Sequence, residues 1–244
     1  MIIIASSNNY YPDDLKLFVE SLTNVGFSGT KIMIVHQVPD QTIDYLRDNG
    51  WEVIYRELFM LQHIQRFREC SLVLKDYDQD QVLFLDCADI IFHKNPEQWD
   101  LDCDLYLGAD GFISNKEHVW AKEHIPLSYP GYMDSVGEYT HLNCGFIYGK
   151  RDIVIDFLMD VYLLSVTSKQ REELEDPFVY TPEDQMGSNV VAYTKYKDII
   201  RIPQPQDPYI INLAQTPWDG NREYYLYHQY NRIESFFNNY NKLK

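Results

Sequence analysis

Short apolar runs alternate with amphipathic segments through the first hundred residues, and this alternation restricts the fold more than any other feature of the sequence. Each run is bounded by polar or turn-forming residues, as in strands buried on both faces of a parallel sheet. Strands are predicted over residues 2–5, 31–35, 51–55 and 82–85, and helices over residues 12–25, 40–49 and 59–74. Such alternation builds a doubly wound sheet through right-handed crossovers. The predicted fold class is therefore α/β, with a mostly parallel sheet flanked by helices.

The second half of the chain has a less regular pattern. Weak periodicity and many turn-forming residues predict two long loops, over residues 112–140, with a short helix inside, and over residues 204–218. Strands are predicted over residues 105–108, 142–149, 199–202 and 224–227, and helices over residues 152–165 and from residue 182 onward. No internal repeat, linker or low-complexity tract divides the sequence, which favours a single domain over residues 1–244.

Motif content and charge exclude several classes of function. Residues 1–100 have the strand–helix pattern of nucleotide-binding domains, but they contain no G-x-G-x-x-G motif after the first strand and no G-x-x-x-x-G-K-[ST] motif. These absences argue against a dinucleotide dehydrogenase and a P-loop enzyme. The formal net charge of −16 argues against a nucleic-acid partner, because nucleic-acid binding needs a basic surface. An acidic protein that binds a polyphosphate also needs a cation to hold it.

The cysteines and the apolar runs bear on the compartment. The four cysteines show no C-x-x-C spacing, which favours reduced thiols in the core over a disulfide framework or a zinc site. The N-terminus has no basic region before its short apolar run, and no run is long enough for a membrane span. The expected protein is soluble and cytoplasmic, in a reducing compartment and without a membrane span.

Two carboxylates follow the predicted strand 82–85 directly. Asp86 ends the apolar run, Asp89 comes three residues later, and the apolar residues 90–92 resume at once. Carboxylates so close to buried strands need a partner, either a metal ion or hydrogen-bond donors. Open α/β sheets bind ligands at the carboxyl ends of their strands. One hypothesis is that Asp86 and Asp89 hold a divalent cation; the alternative is that they cap a turn, as aspartates often do.

Polar side chains recur at other places where predicted strands end or loops begin. Two carboxylate oxygens and an imidazole, with positions left for phosphate oxygens, suit Mn²⁺ better than Ca²⁺ or a structural Zn²⁺. Such a cation would bridge the two phosphates of a nucleotide diphosphate and neutralise charge on the leaving group. A UDP-sugar would then be the donor. The residues at these positions are Asp86, Asp89, Asp110, Asn143, Asp184 and His228.

The order of these motifs resembles that of GT-A glycosyltransferases. More closely, it is similar to the glycosyltransferase domain of the multifunctional procollagen lysyl hydroxylases, which glucosylate galactosyl-hydroxylysine in collagen. The resemblance covers about residues 80–232, and the N-terminal part matches only in its strand–helix pattern. It is carried by the Asp-x-x-Asp-hydrophobic element within residues 83–92, by Gly108-Ala109-Asp110, by residues 142–149, by Glu183-Asp184-Gln185 and by His228.

The resemblance implies a role for each site residue. Asp86, Asp89 and His228 would be the Mn²⁺ ligands. Asp184 and Asn143 would lie at the sugar and reaction centre as catalytic residues, and Asp110 would contact the hydroxyls of the donor sugar. Ser6 and Ser7 would border the uracil or ribose pocket, and Arg232 would be a candidate partner of the diphosphate. The family has an aromatic residue at the position of Ala88, so stacking on the base must come from elsewhere.

The resemblance also implies the reaction. A Mn²⁺-dependent retaining transferase would move a sugar, which is glucose in the family, from a UDP-sugar to galactosyl-hydroxylysine of a collagen-like peptide. Residues 1–100 would bind the nucleotide, and residues 101–244 would close the metal site and bind the acceptor. Two alternatives stay open. One is another GT-A transferase with a glycan or polysaccharide acceptor, and the other is a catalytically inactive GT-A module used for binding.

Each assignment has a structural alternative that the sequence leaves open. Arg66 and Arg68, on the predicted helix 59–74, are candidates for contact with a phosphate, but they also suit a solvated helix face. Asp110 beside a glycine is typical of a turn, and Asp184 is typical of the first turn of a helix. Trp120 and Trp218 are candidates for stacking on a sugar or for filling loops.

Overall fold

A seven-stranded sheet forms the centre of the computed structural model, which describes residues 1–172, 176–179, 181–214 and 223–232. The elements follow one another in the order β1 (Ile2–Asn8), α1 (Pro12–Asn24), β2 (Thr30–His36), α2 (Asp40–Asp48), β3 (Glu52–Tyr55), α3 (Gln62–Leu74), β4 (Gln81–Leu85), β5 (Ile90–Phe92), β6 (Leu105–Ser114), α4 (Val119–Ser128), α5 (Met133–Val136), β7 (Thr140–Lys150), α6 (Arg151–Val166), α7 (Lys169–Glu172), α8 (Glu183–Lys195), β8 (Ile200–Arg201), β9 (Ile210–Asn212) and β10 (Leu226–His228). Short 3₁₀ helices lie at Pro96–Gln98 and Tyr230–Arg232.

The strand order in the large sheet is β3-β2-β1-β4-β7-β6-β8. The strands all run in the same direction except β7, which pairs antiparallel with β4 on one side and with β6 on the other. Because β7 is reversed, its first residues lie at the same edge of the sheet as the last residues of β1, β4 and β6. Asn143, near the start of β7, therefore reaches the edge where Asp86 follows β4.

Apolar side chains pack on both faces of the sheet. Successive residues of a strand point to opposite faces, so Ile2 and Ile4 belong to one core and Ile3 and Ala5 to the other. The first core is closed by helices α3, α6 and α8, and the second by α1, α2 and the small sheet described next. The fold is thus an α/β domain with a mostly parallel sheet between helices, as the alternation predicts.

A three-stranded sheet with the order β5-β10-β9 packs beside the large one. Strand β10 pairs antiparallel with β5, where His228 lies opposite Ile90, and parallel with β9, where His228 lies opposite Asn212. Since β5 begins immediately after Asp89, this pairing carries His228 to the loop that contains Asp86 and Asp89. The small sheet is therefore what joins the late histidine to the early carboxylates.

The structure corrects several details of the sequence prediction. Helix α3 begins at Gln62, three residues later than predicted, because residues 59 and 60 instead donate their main-chain N–H groups to the Gln65 side chain. The predicted loop 112–140 contains two helices, α4 and α5, and the predicted loop 204–218 contains strand β9. Within the described residues, no helix is long and apolar enough to cross a membrane.

Candidate active site

A cavity of about 570 Å³ opens at the edge where β1, β4 and β6 end and β7 begins. Its volume falls within the range of small-molecule sites. It contains most of the residues that the sequence singles out. Its walls are formed by Ser6, Tyr10, Gln62, His63, Arg66, Asp86, Cys87, Asp89, Asp110, Ile113, His118, Val119, Trp120, Asn143, Cys144, Gly145, Pro182, Asp184, Gln185 and Gln229.

Asp86 and Asp89, which line this cavity, form a cluster with the buried His228. The Nε2 atom of His228 lies 3.3 Å from Oδ2 of Asp86 and 3.6 Å from Oδ1 of Asp89, and the three ligand atoms lie within 4.8 Å of one another. Within the described residues, the buried Oδ1 of Asp89 accepts no hydrogen bond. A buried carboxylate oxygen without a donor is costly unless a cation compensates it. The cluster therefore fits a divalent cation with oxygen and nitrogen ligands.

The backbone around the cluster is held in unusual conformations. The main-chain N–H of Asp86 donates to the Gly145 carbonyl at 2.9 Å, and the N–H of Gln229 donates to the Asp89 carbonyl at 2.8 Å. Ala88 and Gln229 have φ values of 69° and 56°, in the left-handed region that residues with a Cβ rarely adopt. Such conformations cost roughly 1–3 kcal/mol each and persist where the surroundings enforce them, often at functional sites.

Gly145 provides space for this cluster. A Cβ atom on Gly145 would lie 2.6 Å from Cε1 of His228 and even closer to Oδ2 of Asp86, well inside van der Waals contact. Strand β7 thus passes directly against two of the three candidate ligands. Only glycine leaves room for both at this position.

Arg66 connects the cluster to the second acidic residue of the site. It projects from α3 with its guanidinium 5.2 and 5.3 Å from the ring centroids of Phe67 and Phe84. Nη1 binds Oδ1 of Asp86, which leaves Oδ2 to face His228, and Nη2 lies 3.6 Å from Oδ2 of Asp184. The buried guanidinium of Arg66 thus lies between the carboxylates of Asp86 and Asp184, and Arg66 also lines the cavity.

Asp184 and Asn143 also line the cavity. Asp184 lies in the first turn of α8, where the helix dipole favours a negative charge, and it is only 8% exposed. Oδ1 of Asn143 accepts a hydrogen bond from the Gly145 N–H at 2.8 Å. Among the residues that the structure describes, the Nδ2 group of Asn143 has no hydrogen-bond acceptor, so it is available to the cavity that this residue lines.

The two serines at the end of β1 point to opposite faces of the sheet. Ser6 lines the cavity, and its hydroxyl accepts a hydrogen bond from Nε2 of Gln62 at 2.9 Å. Ser7 is fully buried and is not part of the cavity wall, so the structure does not bring it to the site. Tyr10, which the sequence analysis did not single out, lines the cavity instead, and burial raises its pKa to about 12.

Asp110 lines the cavity and lies within a network of hydrogen bonds. It accepts from Nδ2 of Asn212 at 2.8 Å and from Nε2 of Gln185 at 3.0 Å, and Nε2 of His118 lies at 3.5 Å. Burial would raise the pKa of Asp110, but the hydrogen bonds from His118 and Gln185 outweigh it and hold the pKa below its ordinary value. Asp110 is therefore a carboxylate at neutral pH.

Asp110, His118 and His141 also lie close enough together to suggest a second cation cluster. However, Nε2 of Gln185 lies 3.0 Å from Oδ2 of Asp110 and 2.8 Å from Nε2 of His141, and it bridges the two atoms. Both acceptors thus have a donor already. The cluster of Asp86, Asp89 and His228 is the better candidate for a cation.

The remaining predicted residues lie at the edge of what the structure describes. The backbone of Arg232 ends the second 3₁₀ helix, but its side chain and Trp218 lie outside the described residues. Trp120 lines the mouth of the cavity and is 48% exposed. Sequence reasoning named Gly145 and Gln185 only as members of motifs and did not single out His141, because the contacts of all three join distant parts of the chain. The side-by-side position of Gln185 and Asp184 was the only local signal.

Comparison with known structures identifies the same fold in a glycosyltransferase. A crystal structure of an active-site mutant of LgtC, a GT-A glycosyltransferase, matches with a TM-score of 0.58 at 14% sequence identity. The match covers 99% of this chain and 96% of that chain, and at this identity it shows the fold alone. No protein-family model and no curated protein sequence matches the chain. The chain thus has the GT-A fold that the sequence predicts, while its likeness to the lysyl hydroxylase transferase domain stays a prediction.

Proposed function

We propose that this protein is a glycosyltransferase that uses a divalent cation, Mn²⁺ by its ligand set, and a UDP-sugar donor. The observation that carries the proposal is one cavity, on a GT-A fold, that combines a candidate cation site with buried polar groups suited to a sugar. The cation site consists of Asp86, Asp89 and His228, with Asp89 Oδ1 buried without a hydrogen-bond donor in the described chain. The sugar-side groups are Asp110, Asn143 and Asp184.

The metal ligands and Arg66 would act on the diphosphate. Asp86, Asp89 and His228 would hold the cation, which supplies positive charge to neutralise UDP as it leaves. Arg66 orients Asp86 through its bond to Oδ1 and adds a fixed positive charge beside the reaction centre. Because the guanidinium is buried against two aromatic rings, its charge acts in a site of low polarity, where electrostatic stabilisation is strong. Arg232 is proposed as a further contact to the diphosphate.

The sugar-side residues would orient the donor. Asp110 accepts hydrogen bonds from sugar hydroxyls, and the free Nδ2 hydrogens of Asn143 donate to a sugar oxygen. Asp184 carries a negative charge next to the position where positive charge develops on the sugar, and Arg66 fixes its orientation at 3.6 Å. Ser6 is proposed to border the nucleoside together with Tyr10. Ser7 can contribute only through the backbone, since its side chain faces away from the cavity.

We propose retention of anomeric configuration and, as acceptor, galactosyl-hydroxylysine of a collagen-like peptide with glucose as the transferred sugar. These details rest on the sequence resemblance. The net charge of −16 is compatible with a lysine-bearing acceptor, because opposite charges attract. The alternatives are a GT-A transferase with a glycan acceptor and an inactive binding module. The cluster of Asp86, Asp89 and His228, together with Asp184 in the same cavity region, supports an enzyme over a binding module.

Release of UDP tests the proposal. The purified protein is incubated with MnCl₂ and a panel of UDP-sugars, with and without a galactosyl-hydroxylysine peptide or glycan acceptors. The expected result is Mn²⁺-dependent UDP release from one UDP-sugar, stimulated by the collagen-type acceptor. If only a glycan stimulates the release of UDP, the proposed collagen acceptor is wrong and the proposed glycosyltransferase activity stands. UDP binding without turnover of any donor would favour the binding module.

A further inference from the structure

A chain of hydrogen bonds runs from the main chain of α5 to the sugar side of the cavity, away from the candidate cation site. It begins at Asn115, which is fully buried after the end of β6. Nδ2 of Asn115 donates to the carbonyl of Val136 at 2.9 Å. A carbonyl oxygen only accepts hydrogen bonds, so this contact fixes the orientation of the Asn115 amide. Its Oδ1 must then face the opposite way, towards His141.

The next member is His141, at the start of β7. Its Nδ1 lies 2.6 Å from Oδ1 of Asn115. Since Oδ1 can only accept, Nδ1 must carry the hydrogen. Burial lowers the pKa of His141 to about 3, so the ring is neutral. A neutral ring that is protonated at Nδ1 has its lone pair on Nε2. His141 therefore presents an acceptor towards α8.

Gln185, on α8, completes the chain. Its Nε2 donates one hydrogen to Nε2 of His141 at 2.8 Å and the other to Oδ2 of Asp110 at 3.0 Å. Both amide hydrogens are thus used within the wall of the cavity. The carbonyl oxygen Oε1 lies on the other side of the planar amide from these two bonds, and Gln185 is one of the residues that line the cavity.

A stacked ring stabilises the arrangement. The imidazole of His118 lies 3.9 Å from that of His141, with the two planes 27° apart. Nδ1 of His118 accepts from the Ala121 N–H at the start of α4, so its Nε2 carries the hydrogen that points to Asp110. Asp110 is thereby held from several sides, and the ring plane of His141 is fixed.

We infer that Asn115 and His141 are positioning residues that fix the amide of Gln185, so that its carbonyl oxygen faces the donor sugar and its nitrogen holds Asp110. This inference rests on the proposed function. One hydrogen bond to Asp110 alone would let the amide turn about its single bonds. The second bond, to His141, removes that freedom. The opposite tautomer of His141 would instead place two hydrogens against each other and expel the amide from this position.

Nuclear magnetic resonance of the unmodified protein tests the relay directly. Long-range ¹H–¹⁵N correlations distinguish the two neutral tautomers of a histidine and its protonated form. At pH 7 the expected state of His141 is neutral with the hydrogen on Nδ1. A hydrogen on Nε2, or a protonated ring at this pH, overturns the inference. This measurement requires neither a substitution nor any activity, so it remains decisive even if a variant fails to fold.

Kinetics test the consequence for the donor sugar. In His141→Phe the ring stack is retained and Nε2 is lost, whereas His141→Gln keeps an acceptor within reach of Gln185. We expect His141→Phe to lower kcat/KM for the UDP-sugar by about 10- to 100-fold, since misplaced groups at a reaction centre cost that much. The affinity for UDP with Mn²⁺ should change less than twofold, and His141→Gln should recover most of the loss. His36→Phe is the matched control, because His36 is fully buried but lies outside the cavity wall.

The outcomes separate the inference from the proposed function. If His141→Phe and His141→Gln lose UDP affinity and turnover to the same extent, His141 is only structural and the inference is wrong. The inference is also wrong if His141→Phe turns over the donor as fast as the wild type. If the wild type itself turns over no nucleotide sugar, the proposed function fails. The tautomer measurement then still decides whether the relay exists.

Discussion

Substituting Gly145 with alanine perturbs the candidate cation site without removing any ligand. Gly145 lies on β7, and the added Cβ would lie 2.6 Å from Cε1 of His228 and still nearer Oδ2 of Asp86. Ordinary contacts of a Cβ begin at 3.4 Å. The histidine ring or the strand must therefore retreat by about 1 Å, and the carboxylate by more, where a metal site tolerates deviations of only about 0.2 Å.

This displacement translates into a large loss of cation affinity and a moderate loss of stability. Disturbing groups that only support the ligands of a metal typically costs about 10- to 100-fold in affinity, and here two ligands move themselves. We expect Gly145→Ala to weaken Mn²⁺ binding by about 100-fold or more. Overpacking of this kind costs about 1–3 kcal/mol in the free energy of unfolding, which leaves the protein folded at 25 °C.

Isothermal titration with Mn²⁺ in the presence of UDP measures the affinity, and urea unfolding measures the stability. The matched control is Gly108→Ala on the neighbouring strand β6, where the added Cβ meets Ile210 Cδ1 at an ordinary 3.5 Å. This control should bind Mn²⁺ like the wild type. If Gly145→Ala also binds Mn²⁺ and UDP as tightly as the wild type, the cation does not lie between Asp86 and His228.

Three further predictions concern other parts of the site. Asp89→Asn should weaken Mn²⁺ binding at least about 10-fold and abolish Mn²⁺-dependent UDP release, because a neutral amide replaces a charged ligand; titration and UDP-release assays check this. Between about pH 6.5 and pH 3, His141 binds a proton in the unfolded chain but not in the folded protein, where it is buried and faces Asp110 and His118. The free energy of unfolding should therefore fall as pH is lowered through this window. The slope should be steeper than that of His141→Gln by up to about 1.4 kcal/mol per pH unit. Urea unfolding at several pH values measures both slopes. Trp120→Ala should raise the KM of a sugar acceptor about 3- to 10-fold without changing donor hydrolysis, while Leu127→Ala, exposed on the same helix but away from the cavity, should change neither.

The sequence predicts most of the architecture, because it depends on local patterns. The apolar runs of β1 and β4 and the helical spacing of α1 and α6 follow from periodicity alone. The reversal of β7 does not. A buried strand carries the same apolar run in either direction, and only its two neighbours define which way it points. That reversal decides the site, since it brings Asn143 and Gly145 to Asp86.

The sequence predicts those residues of the candidate site that come directly after a predicted strand. Asp86 and Asp89 stand out because carboxylates interrupt a buried apolar run. His228 is joined to them only by the small sheet, whose strand β9 lies in a stretch rich in proline that predicts a loop. His141 is harder to predict, since its partner Asn115, just after β6, is 26 residues away and its partner Gln185 in α8 is 44 residues away. Nothing in the local sequence distinguishes a relay from an ordinary buried histidine.

The position of a bound cation tests the central claim most directly. Crystals grown with UDP and MnCl₂ would show Mn²⁺ by its anomalous scattering. The proposed function predicts a peak between Asp86, Asp89 and His228, with ligand atoms at about 2.0–2.4 Å and the diphosphate of UDP completing the coordination. A peak between Asp110, His118 and His141 instead, or UDP bound with no peak at either place, would contradict it.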